Sequence, residues 1–223
     1  MRELLEILDL NNVVITMDAM HCQKETINKI VERKGDYIIQ LKGNQGNFYE
    51  DVRLMFEDKI ADKRSEENYL TYTQIEKYGG RIETRTAYIL KDFEYFEKYK
   101  KDWKNLKTII CIKRTRERNG QKSEEKSYYL SSKLGSAKEL MNYTRKHWQI
   151  ESYHWILDMN YGEDNCKIYN EKAQKNLNLL RKISIKMHKN YIEKTNPKRK
   201  TISSSIRNCL TNNTKFIDFL ESF

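Results

Sequence analysis

Proline is almost absent from this 223-residue sequence, with Pro197 alone against 42 Lys and Arg. A collagenous or proline-rich linker protein is excluded by that composition. No stretch approaches the roughly 18 apolar residues of a membrane span, and the N-terminus does not read as a basic-then-apolar signal. A cytoplasmic protein with no membrane partner is the expectation. The cysteines, Cys22, Cys111, Cys166 and Cys209, stand far apart with no C-x-x-C pair. Neither a zinc knuckle nor a disulfide framework follows from such spacing, and reduced thiols are expected. There is no internal repeat and no low-complexity tract.

What is abundant is charge and aromatic surface. Charged residues make up 33% of the chain, and 15 Tyr, 7 Phe and 3 Trp accompany them. Disordered segments rarely carry that aromatic content, so a globular fold with its own core is expected. A formal charge of +10 and a pI near 9.2 favour a polyanionic partner.

Periodicity gives the organisation. Val13–Asp18 is a short β-branched apolar run ending in a carboxylate and reads as a buried strand. Lys24–Lys34 spaces Ile27, Ile30 and Val31 as a helix closing on Gly35, and Asp36–Leu41 resembles a second strand. Strand, helix, strand implies a parallel pair. Asn47–Asp58 looks helical, after which the period changes. Thr84–Leu90, Leu106–Arg118 and Lys126–Ser131 read as strands, with Asn119-Gly120 a two-residue hairpin signal. Helices return from Ser136, a plausible N-cap, and again over Glu171–Tyr191. Asn196-Pro197-Lys198-Arg199-Lys200 reads as a basic break before a tail.

Three constellations carry candidate chemistry. Asp18 ends a parallel strand, the edge where ligand sites of open α/β sheets gather, though a carboxylate there also reads as a cap of the following turn. In one continuous helix His147, Glu151, His154 and Asp158 would share a face, a row of possible metal ligands. The alternative is a solvated polar face opposite a core stripe of Trp148, Trp155 and Met159. H-E-x-x-H is absent, which argues against a metalloprotease. Arg114, Arg116 and Arg118 alternate on one strand, as do Arg81, Glu83 and Arg85 on another; such rows track phosphates or simply face solvent. Lys42-Gly43-Asn44-Gln45-Gly46 places two glycines just past the second strand without matching a P-loop or dinucleotide fingerprint.

Taken in order, Val14–Met20 with Gln23-Lys24, Gly35-Asp36-Tyr37 leading to Leu41–Gln45, Gly80–Arg85, and His147–Glu151 with Leu157-Asp158 and Glu163-Asp164 closely resemble the H-repeat-associated family of insertion-sequence transposases. The resemblance spans nearly the whole chain. It implies a DDE-type DNA transposase with an α/β, mixed α+β fold: a partial ribonuclease-H-like core, a β-rich antiparallel insertion and C-terminal helices. The divisions it implies are 1–60 for the second part of the core, 61–135 for the insertion, 136–194 for the catalytic-glutamate helix and its successor, and 195–223 for a basic tail. By the match Asp18 is the second catalytic, metal-binding carboxylate and Glu151 the third. Two Mg²⁺ or Mn²⁺ ions at such carboxylates activate water or a 3′-hydroxyl for in-line attack on phosphate.

The resemblance further implies double-stranded DNA as partner, at terminal inverted repeats, a homodimer in a synaptic complex, and association with the bacterial nucleoid. Lys42, Asn44, Gln45, Arg81, Arg85, Arg145, His147 and Trp148 are the candidate DNA-binding residues. His147 stands where related transposases carry an arginine and Asp158 about where they carry a lysine, and Trp148 would stack on a flipped base or pack in a core. Nothing before Asp18 supplies the first catalytic Asp, since Asp9 lies in a Leu-rich helical stretch. The expectation is a truncated copy that binds DNA without cutting it. Two readings stand beside the transposase: a non-catalytic DNA-binding remnant, and a metal-dependent hydrolase built on His147, Glu151, His154 and Asp158.

Overall fold

The apolar runs ending at Met17 and Leu41 lie side by side in the computed structural model, which describes residues 2–61, 69–91, 97–195 and 201–222. Strands β1 (Val14–Met17) and β2 (Asp36–Leu41) pair in parallel, with Val14 opposite Asp36 and Met17 opposite Ile39. Helix α1 (Arg2–Ile7) precedes them and α2 (Lys24–Glu32) makes the crossover. The sharp exit from α2 is a departure from expectation. The left-handed turn is carried by Lys34, at φ +60°, and not by the glycine after it. Gly35 serves close packing instead, since a Cβ there would meet Ile30 Cγ2 at 3.1 Å and Leu10 Cβ at 3.2 Å.

After β2 come a single 3-10 turn at Gly43–Gln45 and helix α3 (Asn47–Ala61). Two long hairpins follow. In the first, β3 (Tyr69–Tyr78) meets β4 (Arg81–Leu90); past the short α4 (Glu97–Lys100), β5 (Thr108–Arg118) meets β6 (Gln121–Ser131). Gly79-Gly80 and Asn119-Gly120 all have positive φ, as a type I′ turn requires of its two central residues. The β-rich stretch continues the same sheet. Strand β6 pairs antiparallel with β2, Tyr128 opposite Leu41, and the full order is β1-β2-β6-β5-β4-β3.

Alternation along the strands separates two apolar layers. On one face Tyr37, Ile39, Leu41, Leu90, Ile109, Cys111, Tyr128 and Leu130 pack with Ile27 and Ile30 of α2 and Phe48, Val52 and Phe56 of α3. Phe48 stacks on Tyr99 with ring centroids 4.0 Å apart and lies against the buried Trp103. On the other face Ile38, Ala87, Ile89, Ile110, Ile112 and Tyr129 receive Ala137, Leu140 and Met141 of α5 (Ala137–His147). Ser136 caps α5 reciprocally with Glu139: the Ser136 hydroxyl accepts from Glu139 N at 3.3 Å, and the Glu139 carboxylate accepts from Ser136 N at 2.9 Å.

The chain folds as two compact units, residues 1–147 and 148–223. The second holds α6 (Gln149–Tyr161), α7 (Glu171–Thr195), α8 (Ile202–Thr211) and α9 (Asn213–Leu220). Helices α8 and α9 occupy the stretch read above as a tail; the basic break at 196–200 lies outside the described residues. Gly162, left-handed at φ +57°, ends α6, and Thr201 opens α8 through a capping box with Ser204. Around α7 the buried side chains are Ile185, His188, Tyr191 and Ile192, with Ser205 from α8 and Phe219 from α9. The His188 ring stacks on Phe219 at 4.5 Å, and its Nδ1 is 2.9 Å from Ser205 Oγ. No helix among the described residues is long and apolar enough to cross a membrane.

Candidate active site

Asp18 follows the last residue of β1, so the parallel geometry sets it at the C-terminal edge of the sheet. There it caps a 3-10 turn at Ala19–His21, accepting from Ala19 N at 2.6 Å. That hydrogen bond is the main reason its pKa is lowered, against a raising contribution from burial; Lys42, whose Nζ is 3.5 Å from Oδ1, and His147 add to the lowering. The capping reading of Asp18 is the one its hydrogen bond displays. Oδ1 caps the turn, while no described residue engages Oδ2.

The loop after β2 is tied to this turn by its side chains. Asn44 Nδ2 donates to the carbonyl of Ala19 at 2.9 Å, and Gln45 Nε2 donates to that of Cys22 at 2.6 Å. Of the residues singled out in this loop, Lys42 faces Asp18 and the two carboxamides brace the floor beneath it. A carboxylate at a strand end, flanked by a lysine, suits a divalent cation or a phosphate group held by the lysine.

Arg81, Glu83 and Arg85 of β4 lie across from Arg118, Arg116 and Arg114 of β5, and across from Tyr78, Glu76 and Gln74 of β3. They share the face that α5 covers. Glu83 is only 4% exposed at its side chain and is ion-paired with Arg85, with Arg116 at 3.1 Å and with Arg81 at 3.5 Å. Glu76 accepts from Arg85 at 2.7 Å and from Arg145 of α5 at 2.9 and 3.2 Å, which lowers its pKa. Arg85 and Arg145 thus both pair with Glu76, joining α5 to the sheet. The role of Glu76 is hidden in the sequence because its partner stands 69 positions away, and the alternation Tyr72, Gln74, Glu76, Tyr78 is its one local signal.

The proposed single-face row is broken. Helix α5 ends at His147, Trp148 stands between, and α6 begins at Gln149, so His147 belongs to the first unit and Glu151, His154 and Asp158 to the second. Burial first, then Asp164 and Glu163, raises the Asp158 pKa. Trp148, Trp155 and Met159 do not form a core stripe. Trp155 is 58% exposed, and Leu157 is the buried residue of α6. Among the described residues no three His, Cys, Asp or Glu gather as metal ligands.

Residues 1–187 match the family described as "Transposase DDE domain". The chain belongs to this DDE transposase family, whose ribonuclease-H-like fold is consistent with the mixed α/β sheet. Among its relatives, "Putative transposase YncI" of Escherichia coli is 34% identical over 189 residues, 83% of this chain and 48% of that protein. "H repeat-associated putative transposase YhhI", also of Escherichia coli, is 32% identical over 82% of this chain and 49% of its own length. The chain therefore spans about half the length of these relatives.

Proposed function

We propose that this chain binds duplex DNA, at the terminal inverted repeats of its own element, and that Asp18 and Glu151 are two of the carboxylates that hold divalent metal for DDE-type strand cleavage and transfer. The observation that carries the reading is the Asp18 edge in a chain of the transposase family. A carboxylate kept ionised by Ala19 N, Lys42 and His147 turns an unengaged oxygen outward at a strand end. Hard carboxylate oxygens fit Mg²⁺ or Mn²⁺. A cation bound there supplies neutralisation of phosphate charge and polarisation of the phosphorus–oxygen bond.

The chain's own groups do the rest. Lys42 places a cation beside Asp18, where it can hold a phosphate against that carboxylate, and His147 at the end of α5 adds a second donor. Asn44 and Gln45 keep the loop rigid, which preserves the position of Lys42 as DNA enters. Work in the cytoplasm on chromosomal DNA, by paired copies at two ends, completes the proposal.

Mn²⁺ titration followed by electron paramagnetic resonance, with and without a duplex carrying the element's ends, tests it. Weak Mn²⁺ binding that tightens with DNA is expected, and Asp18→Asn and Glu151→Gln should each weaken it by ~10-fold or more. Unchanged Mn²⁺ binding in both variants would remove the two residues from the metal site. Stoichiometric tight Zn²⁺ binding without DNA would favour the hydrolase reading instead.

A further inference from the structure

The charged face of the sheet has two halves with different chemistry. Near α5 each arginine has a carboxylate partner: Arg85 has Glu76 and Glu83, Arg145 of α5 has Glu76, and Arg114 has Glu125. Toward the hairpin tips the matching stops. Arg81 and Arg116 share the single buried carboxylate of Glu83 and remain 44% and 41% exposed, and Arg118 has no ion pair among the described residues. Here Arg81, Arg116, Arg118, Asn119, Gln121, Lys122 and Ser123 line a basin of about 590 Å³. Each of these side chains can donate a hydrogen bond and none is a carboxylate.

We propose that this basin is a second DNA contact, holding backbone phosphates of the duplex whose end is addressed by Asp18. The inference rests on the DNA-binding reading above and goes beyond it by separating working arginines from structural ones. Topology supports the assignment. Because β6 runs antiparallel to β2 and Leu41 pairs with Tyr128, the part of β6 from Ser127 back to Gln121 projects past the C-terminal edge of β1 and β2, the edge where Asp18 stands. The basin and Asp18 thus lie at the same end of one sheet. Seven residues at roughly 3.3 Å each, with three strand spacings of roughly 4.8 Å sideways, separate them by about 27 Å. Guanidinium groups fit phosphate through paired parallel donors, and a buried Glu83 beneath them fixes two of the three heads without cancelling their charge.

The test is fluorescence anisotropy of a labelled 30-base-pair duplex across a salt series, with the unsubstituted chain, Arg116→Gln/Arg118→Gln and, as control, the exposed Lys101→Gln. Circular dichroism checks that each variant keeps the fold. Losing two phosphate contacts should flatten the slope of log affinity against log salt by about 1.8 and weaken binding about 10- to 60-fold near 0.1 M salt. The control should keep the parental slope. An Arg118→Glu variant, which leaves the Glu83 pairs in place, should weaken binding at least as strongly as one lost contact. If both arginine variants bind with the parental slope, the basin is overturned while DNA binding stands. If the unsubstituted chain fails to bind duplex at low salt, both are overturned.

Discussion

Replacing Glu83 by Gln keeps the shape of the side chain and removes the one negative charge shared by Arg81, Arg85 and Arg116. Breaking a buried ion pair from one side costs about 3–5 kcal/mol because the remaining charge stays desolvated. Two of the three arginines are more than a third exposed, so water screens them and their share is about 0–1 kcal/mol. Arg85 is 17% exposed and keeps Glu76 at 2.7 Å, which softens its loss. The balance is about 2–3 kcal/mol, or roughly 5–10 °C in the Tm of a unit this size. Trp103, 2% exposed, lies in the same unit, whereas Trp148 and Trp155 lie in the other. The red shift of buried-tryptophan emission on heating, measured in a Trp148→Phe/Trp155→Phe background, therefore follows that unit alone. Glu83→Met/Arg85→Leu should recover part of the loss, since no unmatched charge is then left inside. A Glu83→Gln midpoint within about 1 °C of the parent would refute the reasoning.

Burial lowers the pKa of His188, so the unfolded chain binds its proton first as pH falls. The stability this residue lends the second unit should be complete above pH ~6.5 and decline below it, and His188→Gln should flatten that decline in urea titrations at pH 5 and pH 8. Gly120 holds φ +77° in the second hairpin turn, and Gly120→Ala should cost about 1 kcal/mol, visible as a lower urea midpoint with unchanged slope. A Gly43→Ala substitution meets open space at a residue without positive φ and should leave the midpoint unmoved, which controls for loss of glycine as such.

Much of the first unit was legible because its signals are local. Ile27 and Ile30 mark a buried helix stripe, the Val14–Met17 run marks a strand, and Asn119-Gly120 specifies its own turn. Asp18 could be placed at a strand end for the same reason. What was hidden depends on partners distant in sequence. Arg85 and Arg145 look like free phosphate ligands until β3 brings Glu76 between them, and the two matched and unmatched halves of one arginine row are identical as strings of letters. The break at Trp148 was equally silent, because Trp148 keeps helical angles, φ −67° and ψ −10°, and no proline or glycine marks the joint.

The continuity of the sheet from β1 to β3 gives the molecule the character of a measuring stick. Strand pairing fixes the interval between the Asp18 edge and the Arg116–Arg118 tips at about 27 Å, and a duplex rises roughly 3.4 Å per base pair. Phosphates protected by the tips would then sit about eight base pairs inward from the end presented at Asp18. Lengthening β5 and β6 by two residues each should move that protected stretch by about two base pairs without altering a single contact at the end itself.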